Sequence, residues 1–379
     1  MEYRKIDKLN VSPSLLGFGC MRFPEKNGKI DEALSSQMIK IAIDGGVNYF
    51  DSAYVYHGGK SEEFTGSVLG GYPRDSFYMA TKLPTWAVKS LDDAQRIFGE
   101  QLSRLNMDYI DFYLLHALDK KKWANMRDLN IEKWGEELKR TGKIKYFGFS
   151  FHDDFECFEK IITAREWDFC QIQLNYMDID ENQGGLAAYR LCEKLGVPVI
   201  IMEPVKGGSL AKLPENLEKL FTAVNPEASP ASWAIRWVGG LPGVKVILSG
   251  MSKAEQVYEN LKTCGELKPL SDEEMSVVEK VRTERVKRVY NGCTGCNYCM
   301  PCPAGVNIPW NFTIWNNYGI YENRASANWD WGIISEGEKA LNCNECGACE
   351  EQCPQKIAVR EDLKKVQKQL DALKKKEGA

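Results

Sequence analysis

The chain has 379 residues, of which 44% are hydrophobic and 27% are charged, and its formal net charge is −4. This length and composition predict a folded chain with room for a domain of about 250 residues and a smaller second unit. The acidic balance argues against nucleic-acid binding, and no apolar stretch is long enough to span a membrane. We therefore expect a cytoplasmic protein that binds neither nucleic acid nor a membrane.

Short apolar runs alternate with amphipathic stretches from Val11 to about Leu267. Helix-like spacing of apolar residues occurs at Leu91–Leu105, Phe155–Arg165 and Leu186–Leu195. The eight strand-like runs are LLGFG, VNYFD, SFYMATK, IDFYLLH, KYFGFS, FCQIQLNY, PVIIMEP and VKVILSG. Eight strands that alternate with helices predict an α/β fold, a closed (β/α)8 barrel over residues 1–270, rather than an open sheet.

A charged helix is predicted from Ser271 to Tyr290, with Ser271 as its N-cap and Glu274 three residues later. We assign residues 271–292 to this connection and residues 293–379 to a small, mostly helical domain. Its basic C-terminal helix, from Asp362 to Lys376, carries four apolar residues on one face: Leu363, Val366, Leu370 and Leu373. We expect that face to pack on its own domain, with docking on a partner as the alternative.

Two cysteine runs define the C-terminal domain. The first, CTGCNYCMPCP, contains Cys293, Cys296, Cys299 and Cys302, and the second, CNECGACEEQCP, contains Cys343, Cys346, Cys349 and Cys353. In two-cluster ferredoxins, three closely spaced cysteines bind one 4Fe–4S cluster and the Cys-Pro cysteine binds the other. The pattern therefore pairs Cys293, Cys296 and Cys299 with Cys353, and Cys343, Cys346 and Cys349 with Cys302.

A structural zinc site is the alternative, but zinc ribbons use two C-x-x-C pairs and do not explain the third cysteine in each run. The first run also has two residues, not three, before its last cysteine, so it departs from the two-cluster pattern at Cys302. The 40 residues between Cys302 and Cys343 resemble helical ferredoxin modules, in which helices separate the runs. The other five cysteines should be buried small hydrophobes: Cys20, Cys157, Cys170, Cys192 and Cys264.

The segment GGVNYFDSAYVYHGGKSEE resembles the signature of the aldo-keto reductase family, in which a strand ends in Asp and a Tyr follows five residues later. These residues are Asp51 and Tyr56, and the next two strand-like runs supply Lys82 and His116. All four belong to the C-terminal ends of strands, where barrel active sites are built. The resemblance covers residues 1 to about 270, and family members with a C-terminal ferredoxin module form a subgroup.

The resemblance implies an NAD(P)H-dependent oxidoreductase that reduces an aldehyde or ketone, or oxidises the corresponding alcohol. Tyr56 would exchange the proton, and because its ordinary pKa is about 10 it needs the Lys82 ammonium to stabilise its phenolate. Asp51 would hold Lys82, and His116 would orient the carbonyl oxygen. The alternative is an electron-transfer or redox-sensing iron–sulfur protein on a catalytically idle barrel.

No G-x-G-x-x-G or P-loop motif occurs, so a Rossmann site is not indicated. By resemblance, NADP or NAD would lie across the barrel mouth, with Ser150 and Gln171 at the nicotinamide amide. The adenosine and phosphate contacts would come from Ser249, Gly250, Ser252, Gln256, Glu259 and Asn260.

Three positions depart from the best-known members of the family: Phe151 follows Ser150, Met202 stands where an aromatic commonly stacks on the nicotinamide, and Gln256 stands where many NADPH-preferring members carry Arg. The last departure leaves NAD and NADP both open, with Lys253 or Lys206 as a substitute for the missing charge.

The role of the clusters stays open at the level of sequence. A nicotinamide moves two electrons and a cluster one, and no sequence sign of a flavin connects them. The clusters are either structural or oxygen-sensing, or they exchange electrons with a redox protein partner. Their presence suggests an anaerobe.

Overall fold

The computed structural model describes residues 1–179 and 184–375. The chain forms two compact units. The barrel unit consists of Met1–Val205 and Ser232–Ser271, and the cysteine-rich unit consists of Lys206–Ala231 and the residues from Asp272 onward. No helix among the described residues has both the length and the apolar character that crossing a membrane requires.

Eight parallel strands close the barrel in the order β1-β10-β9-β8-β7-β6-β5-β4, and a two-stranded antiparallel hairpin, β2-β3, follows the first of them. The strands are β1 Leu16–Gly19, β2 Glu25–Lys26, β3 Lys29–Ile30, β4 Tyr49–Asp51, β5 Tyr78–Pro84, β6 Ile110–Leu118, β7 Ile144–Phe151, β8 Phe169–Gln173, β9 Val199–Met202 and β10 Val244–Gly250. The predicted (β/α)8 barrel is therefore confirmed.

Helices alternate with these strands. They are α1 Glu32–Asp44, α2 Ser61–Leu69, α3 Leu91–Leu105, α4 Lys120–Asp128, α5 Ile131–Arg140, α6 Phe155–Ile162, α7 Gly185–Leu195, α8 Glu215–Thr222, α9 Pro230–Gly239 and α10 Ala254–Gly265. Side-chain N-caps start several of them; for example, Ser90 accepts the N–H of Asp93 for α3 and Asp154 accepts the N–H of Cys157 for α6. Helices α3 and α7 lie where apolar spacing predicts them, and α6 ends three residues earlier than expected.

Aromatic side chains fill the barrel interior below the C-terminal ends of its strands. The Phe112 ring lies 5.1 Å from that of Tyr49, 4.9 Å from that of Tyr146 and 5.0 Å from that of Phe169, measured between centroids. All nine residues of β6 are buried, since one face meets this interior and the other meets the helices. The filled interior leaves the C-terminal ends of the strands as the place for polar side chains.

The cysteine-rich unit is helical. Besides α8, it contains α11 Asp272–Val286, α12 Ile308–Tyr321, α13 Arg324–Ile333, α14 Ala348–Gln352 and α15 Val359–Lys375. Helices α12 and α13 separate the two cysteine runs, as expected for a helical ferredoxin module. The apolar face of α15 is buried in the core of this unit, which confirms that this helix packs on its own domain: Leu363, Val366, Leu370 and Leu373.

The segment Lys206–Ala231, between β9 and α9, belongs to the cysteine-rich unit. Arg285 of α11 donates a hydrogen bond to the Ser209 carbonyl at 3.1 Å, and the Tyr321 hydroxyl donates one to the Lys212 carbonyl at 2.9 Å. Gly207 has φ +64°, and a Cβ there would lie 2.4 Å from the carbonyl oxygen of Thr294. The sequence-based division places residues 206–231 in the barrel domain. In the structure, these residues belong to the same compact unit as the residues after Ser271.

Candidate active site

An ion pair lies at the C-terminal ends of β4 and β5. The Lys82 ammonium is 2.6 Å from Asp51 Oδ1, and it also donates to the Ser52 carbonyl at 2.7 Å. Its distance to the Tyr56 hydroxyl is 3.5 Å. Lys82 is fully buried, so its charge acts in a low-dielectric environment on the three groups it contacts.

Burial governs the charge state of this pair. It raises the pKa of Asp51, and the Lys82 charge and hydrogen bond oppose that rise. The second carboxylate oxygen of Asp51, Oδ2, is buried with no hydrogen-bond partner among the described residues. The ionised form of Asp51 therefore depends on Lys82 as its counter-ion.

His116 lies on the other side of Tyr56, near the end of β6. The centroids of the His116 and Tyr56 rings are 6.1 Å apart, and the Trp86 ring lies 5.1 Å from His116. Burial holds the pKa of His116 well below its ordinary value, with further lowering by Lys82, His152 and Lys122. His116 is therefore neutral near pH 7, and a neutral imidazole can donate a hydrogen bond to a carbonyl oxygen.

The backbone around His116 is held by two hydroxyl groups. Thr85 Oγ1 donates to the His116 carbonyl at 2.7 Å, and Ser150 Oγ accepts the N–H of Ala117 at 2.7 Å. Ala117 has φ +54°, and the pairing of β6 with β7 shifts register between Leu115 and Leu118. A left-handed alanine is strained, so these bonds keep the peptide beside His116 in an unusual conformation.

The two candidates for the nicotinamide amide lie on neighbouring strands, since Ser150 of β7 pairs with Gln171 of β8. The Gln171 amide nitrogen contacts the sulfur of Met202 at 3.5 Å. Its oxygen, Oε1, is buried and has no hydrogen-bond partner among the described residues. Gln171 thus presents an acceptor to an amide ligand, whereas Ser150 already binds Ala117.

The adenosine-end candidates lie at the end of β10 and along α10. Asn260 donates to Ser249 Oγ at 3.0 Å, and Gln256 Oε1 accepts the N–H of Ser252 at 2.8 Å. A Cβ at Gly250 would lie 2.6 Å from Cγ of Arg22. Glu259 is partly buried, and burial raises its pKa.

Sequence reasoning missed Arg22, Thr85 and Trp86. Arg22 follows β1 in the run GFGCMRFP, and its position shortly after a barrel strand was the available signal. Thr85 and Trp86 follow β5 in the same way.

The cysteines of the first predicted ligand set are neighbours. Burial raises the pKa of the Cys299 thiol to about 12, and Cys296, Cys293 and Cys353 add to the rise. Cys353 comes from the second run, and the predicted ligand set requires this contribution from it. Burial likewise raises the pKa of Cys349 to about 11, with contributions from Glu350 and Cys343.

Six cysteines of the two runs pack on the core of the cysteine-rich unit: Cys293, Cys299, Cys302, Cys343, Cys349 and Cys353. In residues 1–179 and 184–375, no three His, Cys, Asp or Glu side chains converge as ligands of a single metal ion. The five isolated cysteines are buried, as expected.

Known proteins resemble the chain over the barrel. The uncharacterized oxidoreductase YqkF of Bacillus subtilis is 26% identical over 74% of this chain and 96% of its own length. Probable aldo-keto reductase 1 of Glycine max is 28% identical over 68% of this chain and 82% of its own.

Solved structures agree on the fold. Aldo-keto reductase AKR11C1 from Bacillus halodurans, in its holo form, has a TM-score of 0.62 and 26% identity, over 74% of this chain and 96% of that one. An aldo-keto reductase from Klebsiella pneumoniae in complex with NADPH has a TM-score of 0.59 and 21% identity, over 74% and 95%.

Two family models match the chain in succession. The model described as 4Fe-4S dicluster domain matches residues 292–358, which contain both cysteine runs. The model described as Aldo/keto reductase family matches residues 15–283, well over half of the chain. The protein is therefore an oxidoreductase that belongs to the aldo/keto reductase family and carries a C-terminal 4Fe–4S dicluster domain.

Proposed function

We propose that the protein reduces an aldehyde or ketone with NAD(P)H, or oxidises the corresponding alcohol, at the site formed by Asp51, Tyr56, Lys82 and His116. The observation that carries this proposal is the position of the Lys82 ammonium, 2.6 Å from Asp51 and 3.5 Å from the Tyr56 hydroxyl. A buried cation beside a phenol stabilises the phenolate, and this lets a tyrosine exchange a proton near neutral pH.

A bound nicotinamide would supply the hydride to the carbonyl carbon or accept it in the reverse direction. In reduction, Tyr56 gives its proton to the carbonyl oxygen and Lys82 stabilises the phenolate that remains. His116, neutral because burial lowers its pKa, donates a hydrogen bond that orients the same oxygen.

The nicotinamide cofactor would meet Gln171 at its amide, since the buried Gln171 oxygen is a hydrogen-bond acceptor. NADP is favoured by the Klebsiella pneumoniae relative, which was solved with NADPH. Gln256 offers no charge to a 2′-phosphate, so the choice between NADP and NAD would fall to Lys253, which is exposed beside it.

We further propose two 4Fe–4S clusters, one on Cys293, Cys296, Cys299 and Cys353 and one on Cys343, Cys346, Cys349 and Cys302. The packing of six of these cysteines on the core of their unit favours a structural role. Electron exchange with a redox protein is the second candidate role, and the exposed Cys346 supports it.

The test of the catalytic proposal is the Tyr56→Phe variant in an assay of NADPH and NADH oxidation with a panel of aldehydes and ketones. We expect turnover to fall by a factor of about 10² to 10⁴, because proton transfer loses its donor. Tyr3→Phe is the matched control, since Tyr3 is an exposed tyrosine whose hydroxyl binds the Gly46 carbonyl.

Cluster absorbance and nucleotide binding should be the same in both variants. Full turnover in Tyr56→Phe would refute the catalytic proposal and favour the alternative, an electron-transfer or redox-sensing protein on an idle barrel.

A further inference from the structure

A buried carboxylate that the proposed chemistry does not use lies near the catalytic residues. Glu62 is the second residue of α2, and its side chain is fully buried. Burial raises its pKa, although three hydrogen-bond donors oppose the rise. A buried carboxylate is expensive to desolvate, so its hydrogen-bond partners indicate what it does in the fold.

One oxygen of Glu62 is connected to the strand that carries Lys82. Glu62 Oε1 accepts from Thr81 Oγ1 at 2.6 Å and from Gln101 Nε2 at 2.7 Å. Gln101 Nε2 also donates to the Lys82 carbonyl at 3.0 Å. The Tyr113 hydroxyl donates to Gln101 Oε1 at 2.8 Å and so fixes the orientation of the amide.

The other oxygen of Glu62 is connected to the loop that carries Tyr56. Arg104 Nη1 lies 3.3 Å from Glu62 Oε2 and donates to the Tyr54 carbonyl at 3.2 Å. The Arg104 guanidinium also lies 4.1 Å from the centroid of the Tyr54 ring. Tyr54 is two residues before Tyr56, so the position of Arg104 sets where this loop begins.

We propose that Glu62 is a positioning residue: through Gln101 it holds the strand end of Lys82, and through Arg104 it holds the loop of Tyr56, so that the ammonium and the phenol keep their separation. This inference rests on the proposed function, since it concerns the geometry of the same proton donor. The Lys82–Tyr56 distance of 3.5 Å is sensitive to either connection, because the two residues reach the site from different elements.

The variant Glu62→Gln separates the two connections. Its amide oxygen still accepts from Thr81 and Gln101, while its amide nitrogen faces Arg104 and cannot accept a hydrogen bond from it. Arg104→Met breaks the same connection from the other side. Glu63→Gln is the matched control, because Glu63 is exposed on the same helix and pairs with Lys60.

We expect kcat to fall about 10-fold or more in Glu62→Gln and in Arg104→Met, with KM for the carbonyl within about 2-fold of the wild-type value. The double variant should lose little more than either single one, because both break one connection. Glu63→Gln should behave like the wild type. Unchanged kcat in Glu62→Gln and Arg104→Met would overturn the proposal.

Counting nucleotide-binding sites distinguishes a positioning role of Glu62 and Arg104 from a role in stability alone. If kcat per nucleotide-binding site equals the wild-type value in both variants, the loss comes from unfolded protein and the positioning role is refuted.

A readout without substrate separates this inference from the proposed function. Tyr56 ionisation can be followed as the ultraviolet difference between each protein and its Tyr56→Phe derivative. The midpoint of Tyr56 ionisation should rise by about one pH unit in Gln101→Met and in Arg104→Met, because the Lys82 ammonium is then displaced from the Tyr56 phenolate. An unchanged midpoint refutes positioning, whereas a shifted midpoint without carbonyl reduction by the wild type refutes only the proposed activity.

Discussion

His116 stays neutral in the folded protein, and this makes the protein sensitive to acid. Burial, Lys82, His152 and Lys122 hold its pKa well below the ordinary value of 6.5. The unfolded chain takes up a proton at His116 near pH 6.5, while the folded chain does not. Protonation therefore favours unfolding below that pH, and this part of the stability is fully present only above it.

We predict that His116→Gln reduces the loss of stability in acid. The free energy of unfolding of the wild type, minus that of the variant, should decrease by up to about 1.4 kcal/mol per pH unit as the pH falls below 6.5. Denaturant unfolding of both proteins between pH 7.5 and about 5.5 measures this slope. Equal slopes would mean that His116 takes up its proton equally in both states.

The family signature and the visible apolar runs together account for the four residues of the candidate active site. Asp51 ends β4 and Tyr56 follows it by five residues. Lys82 and His116 lie two residues before the ends of β5 and β6. The side chains that hold them could not be predicted in this way. Gln101 and Arg104 lie on α3. The partner of Gln101, Glu62, is 39 residues earlier, and the partner of Arg104, Tyr54, is 50 residues earlier. Neither apolar periodicity nor a motif indicates such a polar contact between distant segments.

At the level of elements, the cysteine runs differ in how well the structure supports their ligands. Cys299 has Cys293, Cys296 and Cys353 as electrostatic neighbours, and Cys349 has Cys343. Cys302 is half-buried and packs on the same core, in the run whose spacing is one residue short. We therefore test the assignment of Cys302, from the first run, to the cluster bound by the second run.

We predict that Cys302→Ser loses one cluster and keeps the other. Iron and sulfide analysis of anaerobically purified protein should give about eight of each per wild-type chain and about four in the variant. Cys157→Ala is the control, since Cys157 is a buried cysteine of α6 in the barrel unit. Eight iron atoms in Cys302→Ser would remove Cys302 from the ligand set.

Elements with an apolar run or period were predictable, and elements without one were not. Helix α3 is amphipathic over fifteen residues and has a side-chain cap, so its bounds follow from the sequence. The two-residue strands β2 and β3 are too short for periodicity to indicate. Their conformations depend on tertiary contacts.

On the scale of the whole molecule, the chain passes between its two compact units three times, after Val205, Ala231 and Ser271. The segment 206–231 depends on partners from later in the chain, among them Arg285, which is buried and donates to the Ser209 carbonyl. The sequence could not reveal this, because no motif marks the segment and the strands and helices of the barrel continue on either side of it.

We predict that Arg285→Met loosens this segment. Amide hydrogen exchange in residues 207–222 should become about 10-fold faster or more, since a hydrogen bond from a charged donor contributes about 1.5–3 kcal/mol. Lys287→Met is the control, because Lys287 is exposed just after the end of α11 and pairs with Glu284. Exchange that is unaffected in Arg285→Met would show that other contacts hold the segment.

The three passages of the chain between its two units also determine when each unit can fold during synthesis. Residues 206–231 leave the ribosome before α11 and α12 exist, so this segment lacks its later partners until those helices have been made. The cysteine-rich unit can assemble only when nearly the whole chain has been made. A premature stop after residue 271 would therefore release a barrel whose inserted segment lacks the later residues that it contacts, among them Arg285 and Tyr321.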